Sequence, residues 1–114
     1  MPPASIRIAR HTDAPTLHAM VLELAESSGE KNKVTSSAED FLQYGFADQP
    51  AFEGLIAEYQ GEAVGLSLFF YNFSTWRGKL GAYIQDLYVK PPHRGTGLGL
   101  QLIIETARCA RQRG

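Results

Sequence analysis

The sequence predicts an α+β domain whose elements follow the order β-α-α-β-β-β-α. Residues 5–9 alternate polar and apolar side chains, as a half-buried strand does. Residues 52–59 and 63–73 have strand-like composition and are joined by Gln60-Gly61-Glu62, a connection of hairpin length. In the sequence, segments with helically spaced apolar residues precede and follow these central strands. We therefore expect three consecutive antiparallel strands packed by helices.

The first helix is expected to follow the first strand directly. Thr12 and Asp13 are residues that cap helix N-termini, and Pro15 is tolerated in a first helical turn. Apolar residues at positions i, i+3, i+4 and i+7 then form one stripe, made of Leu17, Met20, Val21 and Leu24. His18 lies outside this stripe and is predicted to face solvent.

A polar stretch, residues 27–37, separates this helix from a second one. Ser36 and Glu39 have the S-x-x-E spacing of a capping box, and Gly45 is a typical residue for a helix end. The sequence therefore predicts a short second helix between Ser36 and Gly45, ahead of the central strands.

The last strand and the last helix flank a glycine-rich segment. Residues 83–89 are rich in β-branched and aromatic side chains, whereas residues 100–113 contain no Gly or Pro. We expect the helix to bury one face, formed by Leu102, Ile103, Thr106, Ala107 and Ala110. His93, which precedes the glycines, is expected on the surface without a partner.

Length, charge and cysteine content limit the function classes. The chain has 114 residues, which suits one domain over residues 1–114, and its formal net charge of −1 gives no reason to expect a nucleic-acid partner. No apolar run reaches bilayer length and Met1-Pro2-Pro3-Ala4 does not resemble a leader, so no membrane partner is expected. Cys109, the single cysteine, is predicted to be a packed thiol in a reducing cytoplasm. His11 and His18 lack metal-ligand spacing, so no metal is expected.

The most informative segment is Arg94-Gly95-Thr96-Gly97-Leu98-Gly99, between the last strand and the last helix. Glycines let backbone N–H groups approach an anion, and a helix N-terminus adds unpaired donors and a favourable dipole. The segment therefore predicts a ligand that carries a pyrophosphate. The alternative is a tight strand-to-helix turn with no ligand.

The glycine spacing distinguishes among phosphate motifs. A Rossmann fingerprint has glycines at its first, third and sixth positions, and a Walker loop ends in Gly-Lys-Ser/Thr. Neither pattern occurs here. The segment resembles the acetyl-CoA motif of the GNAT superfamily of N-acetyltransferases, Gln/Arg-x-x-Gly-x-Gly/Ala, and Arg94, Gly97 and Gly99 occupy its defined positions.

Within that superfamily the chain is most similar to the diamine (spermidine/spermine-type) acetyltransferases and their thialysine-acetylating relatives. The segments that carry this resemblance are Asp40-Phe41-Leu42-x-x-Gly45-Phe46, Phe69-Phe70-Tyr71, Trp76-x-Gly78-Lys79-Leu80 and residues 83–99. They span most of the chain from Leu24 onward. The resemblance implies the GNAT acyl-CoA N-acyltransferase fold.

The resemblance also implies an acetyl-CoA site at the end of the last strand. The backbone of Leu87, Tyr88 and Val89 would run beside the pantetheine arm, at a strand edge splayed by a β-bulge. Arg94 would pair with a phosphate or order the turn. Main-chain amides would hold the pyrophosphate, and they belong to Gly95, Thr96, Gly97, Leu98, Gly99 and Leu100.

The chemistry implied by the resemblance is direct transfer of an acetyl group to an amine. The amine attacks the thioester as a neutral base, so a proton must first leave its ammonium form. Asp86 is the candidate carboxylate for this step. Its alternative role is that of a turn-capping or salt-bridged residue.

Two positions bear on the substrate. Diamine acetyltransferases carry carboxylates that meet the polyamine cation where this chain has Ser28 and Gln85. Neither side chain can form an ion pair. We therefore expect Ser28 and Gln85 to contact a small primary amine, polyamine-like or from an amino-acid side chain, with only weak preference for long polyamines.

The family normally continues beyond the helix that follows the CoA loop, and its later segments include a tyrosine that protonates the leaving thiolate. We therefore expect residues 1–114 to be a C-terminally truncated GNAT domain; the alternative is that a partner chain supplies the missing half. The unpaired edge of the last strand favours a homodimer. The alternative function is a non-catalytic acyl-CoA-binding or dimerisation module of the same fold.

Overall fold

A computed structural model of the chain describes residues 4–113, in which four antiparallel strands form one sheet in the order β1-β2-β3-β4. The strands are β1 (Ser5–Ile8), β2 (Glu53–Tyr59), β3 (Glu62–Ser74) and β4 (Lys79–Val89). The helices are α1 (Ala14–Ser27), α2 (Ala38–Gly45) and α3 (Leu98–Arg113). Met1, Pro2 and Pro3, where the sequence predicts no leader, lie outside the described residues, as does Gly114. The predicted element order is confirmed.

One core lies between the sheet and the helices α1 and α2. Leu17 and Met20 of α1 are fully buried against Ile56, Leu66 and Leu68 of the central strands. Apolar residues of α2 and of the segment before β2 cover the margin of this core. The apolar stripe predicted for the first helix therefore forms its buried face.

A second core lies on the opposite face of the sheet, under α3. Leu98 and Leu102 pack against Leu55, Ala57 and Phe69. A buried hydroxyl pair adds to this contact, because Ser67 Oγ lies 2.8 Å from Thr106 Oγ1. Helices thus cover both faces of the sheet, which leaves its edges as the places where backbone groups are accessible.

The buried face of α3 differs from the prediction. The helix begins at Leu98 rather than near residue 100, and Ile103 and Ala107 are exposed. Its inward positions are Leu98, Leu102, Thr106 and Cys109, which are spaced by three or four residues. Cys109 is half-buried and packs against this core, as predicted for a packed thiol.

The capping box of α2 is one residue later than predicted. Ser37, not Ser36, is the N-cap: its hydroxyl accepts the Asp40 N–H, and the Asp40 carboxylate accepts the Ser37 N–H. Both registers satisfy the sequence pattern, and the extended backbone of Ser37 selects the later one.

Asp13 caps the 3-10 turn His11–Asp13 rather than α1, because its carboxylate accepts the Arg10 N–H at 2.6 Å. Its side chain makes no capping bond to α1 and instead pairs with both terminal nitrogens of Arg7, at 2.7 and 2.9 Å. The Nε of Arg7 binds Glu58 at 2.8 Å. The hydrogen bond from Arg7 holds the pKa of Asp13 below its ordinary value. This network joins β1, β2 and the start of α1.

Candidate active site

A β-bulge interrupts β4 at the point where the resemblance implies a splayed edge. Leu68 pairs with Asp86 and Phe69 pairs with Ile84, so Gln85 is an extra residue with no counterpart on β3. A bulge increases local twist and turns side chains out of the regular alternation. Gln85 and Asp86 consequently both line a pocket on the α1–α2 face.

The outer edge of β4 presents an alternating set of backbone groups. The N–H of Lys90 donates to Val64 on β3, and Tyr88 pairs with Leu66. Because backbone groups alternate in direction along an antiparallel strand, those of Tyr88 point toward β3, while those of Leu87 and Val89 point away. Within residues 4–113 no strand pairs with this outer edge.

The glycine-rich turn follows this edge after a short 3-10 turn at Pro91–His93. Gly95 and Gly97 have φ values of +79° and +84°, a region that side chains with a Cβ rarely adopt. A Cβ built at either position would meet no protein atom within 4 Å. The glycines are thus required by backbone conformation, and the space beside them is open.

The start of α3 completes this surface. The first intrahelical bond runs from Gln101 N–H to the carbonyl of Gly97, so the N–H groups of Leu98, Gly99 and Leu100 have no helical acceptor. These donors and the helix dipole favour an anion at the turn. Thr96 is held in place because its hydroxyl donates to the carbonyl of His93 at 2.7 Å.

Arg94 ties the turn back to the strand. Its Nε donates to the outward carbonyl of Val89 at 2.8 Å, and its guanidinium carbon lies 5.7 Å from the centre of the Tyr88 ring. Of the two roles expected for Arg94, ordering of the turn is therefore present in the structure. The residue as a whole is exposed.

The pocket on the α1–α2 face has a volume of about 400 Å³. Its apolar wall is formed by Val21, Phe41, Phe52 and Leu68, and its polar groups come from Ser36, Asp40, Tyr44, Gln85 and Asp86. Pockets that combine an apolar wall with polar groups able to orient a ligand are typical of small-molecule sites. The bulge residues that line this pocket come immediately before Leu87–Val89 in the chain, and the glycine turn follows that segment.

Asp86 is the half-buried carboxylate of this pocket. Burial raises its pKa above the ordinary value for aspartate, and no charged neighbour contributes to the shift. Of the described residues, none forms a salt bridge with Asp86. The salt-bridged alternative is therefore absent among the described residues, and the role of Asp86 as a proton acceptor stays a prediction.

Ser28 lies apart from this group. It follows α1, is exposed, and its hydroxyl donates to the carbonyl of Ala25 at 3.1 Å. It does not line the pocket that contains Gln85 and Asp86. The structure therefore brings together Gln85, Asp86 and the β4 edge, and leaves Ser28 outside.

Two histidines have partners that the sequence pattern did not show. His18, predicted to face solvent, is half-buried, with Nε2 2.7 Å from the Ser36 carbonyl and its ring against Phe41. His93, expected without a partner, packs against the ring of Tyr59 at 5.2 Å between centroids. Both contacts join residues distant in sequence, so local spacing could not predict them.

The pocket wall was also missed by sequence reasoning. Phe41 and Phe52 are in edge-to-face contact, with ring centroids 5.6 Å apart, and Tyr44 stands at the rim. Their aromatic character was the available signal, but it is equally typical of core residues. Across residues 4–113, no helix is long and apolar enough to cross a membrane, and no three metal-ligating side chains form a cluster.

Comparisons with known proteins show the family to which the chain belongs. The profile described as the acetyltransferase (GNAT) family matches residues 18–114. The thialysine N-epsilon-acetyltransferase of Mus musculus is 36% identical over 96% of this chain and 68% of its own length. The spermidine/spermine N(1)-acetyltransferase-like protein 1 of Homo sapiens is 30% identical over 92% of this chain and 16% of its own length.

The fold is also that of solved acetyltransferases. The ribosomal-protein-alanine N-acetyltransferase from Brucella melitensis biovar Abortus 2308 superimposes with a TM-score of 0.75 at 23% identity, covering 96% of this chain and 73% of that chain. The chain belongs to the acetyltransferase (GNAT) family. The predicted GNAT fold, the diamine acetyltransferase resemblance and the acetyltransferase class are thereby confirmed.

Proposed function

We propose that this protein transfers an acetyl group from acetyl-CoA to a primary amine of a small molecule. The observation that carries the proposal is the bulge at Gln85. It places Asp86 in a pocket and leaves the outward groups of Leu87 and Val89 on the adjoining edge. An amine in the pocket and a thioester along the edge would therefore meet at one strand.

The residues present fit acetyl-CoA. The outward N–H and carbonyl of Leu87 and the outward N–H of Val89 can pair with the amides of a pantetheine arm, as an added strand would, while the Val89 carbonyl already accepts from Arg94. Unpaired N–H groups at the start of α3 suit a pyrophosphate. The open space beside Gly95 and Gly97 is where a Cβ would obstruct such a ligand.

Acetyl-CoA supplies an acetyl group activated as a thioester when it is bound. Asp86 accepts the proton from the ammonium form of the substrate, directly or through water, and its raised pKa makes it a better acceptor. An outward N–H of the β4 edge stabilises the charge that develops on the carbonyl oxygen. The apolar pocket wall excludes water and orients the amine.

The pocket favours a small amine with its charge near Asp86, because Asp40, the other carboxylate of the lining, already accepts the Ser37 N–H as the cap of α2. Gln85 is neutral, and the aromatic wall accommodates the apolar part of a side-chain amine better than a second cation. We propose an amino-acid side-chain amine or another small amine, with weak preference for long polyamines. The relationship to thialysine acetyltransferases supports this choice.

An amine panel tests the function through release of free CoA thiol. We expect release with lysine-like amines that equals or exceeds release with spermidine. Gln85→Glu should raise the relative affinity for dications about fivefold, the worth of one well-placed ion pair. The matched control is Gln43→Glu on α2, an exposed residue that does not line the pocket.

The outcomes separate the two candidate functions. Binding of acetyl-CoA without thiol release on any amine would contradict the transfer reaction and favour a non-catalytic acyl-CoA-binding module. High selectivity for spermidine over lysine analogues would contradict the substrate class while leaving the reaction intact.

We further propose a cytoplasmic homodimer. Strands β3 and β4 extend past Glu53, the first residue of β2, as a two-stranded arm. Its exposed apolar side chains include Phe73, Leu80 and Trp76, and Trp76 is 97% exposed. Exposed apolar clusters of this kind are typical of interaction surfaces. Sedimentation equilibrium should show a dimer that Trp76→Ser weakens, and a monomer at micromolar concentration would contradict the proposal.

A further inference from the structure

Tyr88 carries a buried phenol that the proposed reaction does not use. Its side chain is 5% exposed and belongs to the core beneath α1. The hydroxyl donates to Oε1 of Glu23, on α1, at 3.0 Å. A buried hydroxyl is stable only with such a partner, so the tyrosine fixes the distance between α1 and β4.

Glu23 also contacts a second residue at the C-terminal end of β4. Its other carboxylate oxygen lies 3.8 Å from Nζ of Lys90, and Arg94 holds the intervening carbonyl of Val89. Side chains thus fix Tyr88, Val89 and Lys90 in succession. This is the last part of β4 before the glycine turn.

We propose that Glu23 is a positioning residue for acetyl-CoA and that it acts through the Tyr88 hydroxyl; this rests on the proposed function. Tyr88 stands between the two residues whose backbone groups point outward, Leu87 and Val89. Holding the middle residue against α1 sets the direction of the groups on either side of it. Neither Glu23 nor the phenol needs to touch the ligand.

The hydrogen bond persists at physiological pH. Burial raises the pKa of Tyr88, and the hydrogen bond to Glu23 raises it further, against a smaller opposing effect of Arg94. The phenol therefore stays protonated and continues to donate. A neutral donor needs an acceptor oxygen, not a negative charge, so Glu23→Gln should retain the function that Glu23→Ala loses.

The test measures acetyl-CoA affinity and steady-state rates of the full chain. Tyr88→Phe keeps the packed ring and removes the hydroxyl alone. We expect Kd and KM for acetyl-CoA to rise about three- to tenfold, the range of one net hydrogen bond, with kcat at saturating acetyl-CoA within about twofold. Glu23→Ala should raise both at least as much, because it also removes the Lys90 contact and leaves the buried hydroxyl without an acceptor, and the double variant should bind no more weakly than Glu23→Ala alone.

The chain offers a matched control for general loss of stability. Tyr71 donates its hydroxyl to Oε2 of Glu53 at 2.9 Å, a tyrosine–glutamate bond on the opposite side of the sheet. Tyr71→Phe should lower the unfolding midpoint by a similar amount and leave acetyl-CoA affinity unchanged.

The outcomes distinguish this inference from the proposed function. Failure of the unmodified protein to bind acetyl-CoA would contradict the function itself. Normal binding by the unmodified protein together with equal affinities for Tyr88→Phe and Tyr71→Phe would overturn the role of Glu23. A fall in kcat at unchanged KM would also overturn it, because positioning of the donor would then not be what was lost.

Discussion

Asp86 is the residue whose surroundings say most about its role. It is half-buried in an apolar pocket, and burial alone raises its pKa. A charged carboxylate in such a place opposes folding, since the charged form is less well solvated than in the unfolded chain. Side chains whose charged form is destabilised by burial are frequent at catalytic sites.

Asp86→Asn should therefore separate activity from stability. We expect the rate of thiol release to fall about 10²- to 10⁴-fold, the usual contribution of a general base. The unfolding midpoint at pH 7 should be unchanged or higher, because the buried charge is gone. Asp48→Asn, the same change at an exposed loop position, is the control and should alter neither quantity. Unimpaired thiol release by the Asp86 variant would exclude the carboxylate from proton transfer.

The raised pKa of Asp86 also predicts how the rate depends on pH. The base must be unprotonated, so the rate should fall as pH decreases through a pKa above the ordinary aspartate value of about 4. The stability advantage of Asp86→Asn should shrink over the same range, since the native carboxyl then becomes neutral. A rate profile that stays flat down to pH 4 would contradict the assignment.

At the scale of elements, the contact between α3 and β3 depends on a pair of hydroxyls. Thr106 donates to the carbonyl of Leu102 at 2.8 Å, so Ser67 must donate to Thr106. Both side chains are buried. The pair gives the helix a fixed register on the sheet, which an apolar contact alone would specify less strictly.

Thr106→Val should show how much this hydroxyl pair contributes to the free energy of unfolding. The substitution preserves shape and leaves the Ser67 hydroxyl buried without an acceptor, which costs about 1–3 kcal/mol. Denaturant unfolding would measure the change in free energy. Ser67→Ala combined with Thr106→Val should recover part of the loss, and a double variant less stable than the single one would contradict this explanation.

The elements themselves could be predicted from sequence, but their faces could be predicted only in part. The stripe of α1 was correct because apolar residues occupy one face of that helix. In α3 apolar residues occur on more than one side, and Ile103 was placed inside although it is exposed. Thr106 could be recognised as buried, but Ser67, its partner, lies 39 residues away. Contacts of that kind depend on the fold.

The candidate site, too, could be predicted from the sequence only in part. The glycine turn and the strand before it are contiguous, so their succession could be predicted from the sequence, and the binding role of Arg94 through Leu100 stays a prediction. The bulge at Gln85 was implied by resemblance and is present. The pocket wall could not be predicted, because Val21, Phe41 and Phe52 belong to different segments and meet only after folding.

At the scale of the whole molecule, β4 connects the parts that the proposed reaction needs. Its bulge faces the amine pocket, its outer edge offers backbone groups, and its end leads into the glycine turn. Tyr88 belongs to one core, and Leu87 and Val89 pack against the other. The Tyr88 hydroxyl also binds Glu23 on α1. The sheet thus supports the proposed site, which lies along β4 and the residues of α1 and α2 that face it.

The most direct measurement is calorimetric titration of acetyl-CoA into the unmodified protein, Gly97→Ala and Gly78→Ala. Gly97 and Gly78 have φ values of +84° and +67°, and an added Cβ would meet no protein atom within 4 Å at either position. The two variants therefore carry similar backbone strain, and only the first places a methyl group in the glycine turn. We predict that Gly97→Ala weakens binding at least about tenfold, whereas Gly78→Ala binds like the unmodified protein. Equal affinities for all three proteins would contradict an acetyl-CoA site at this turn.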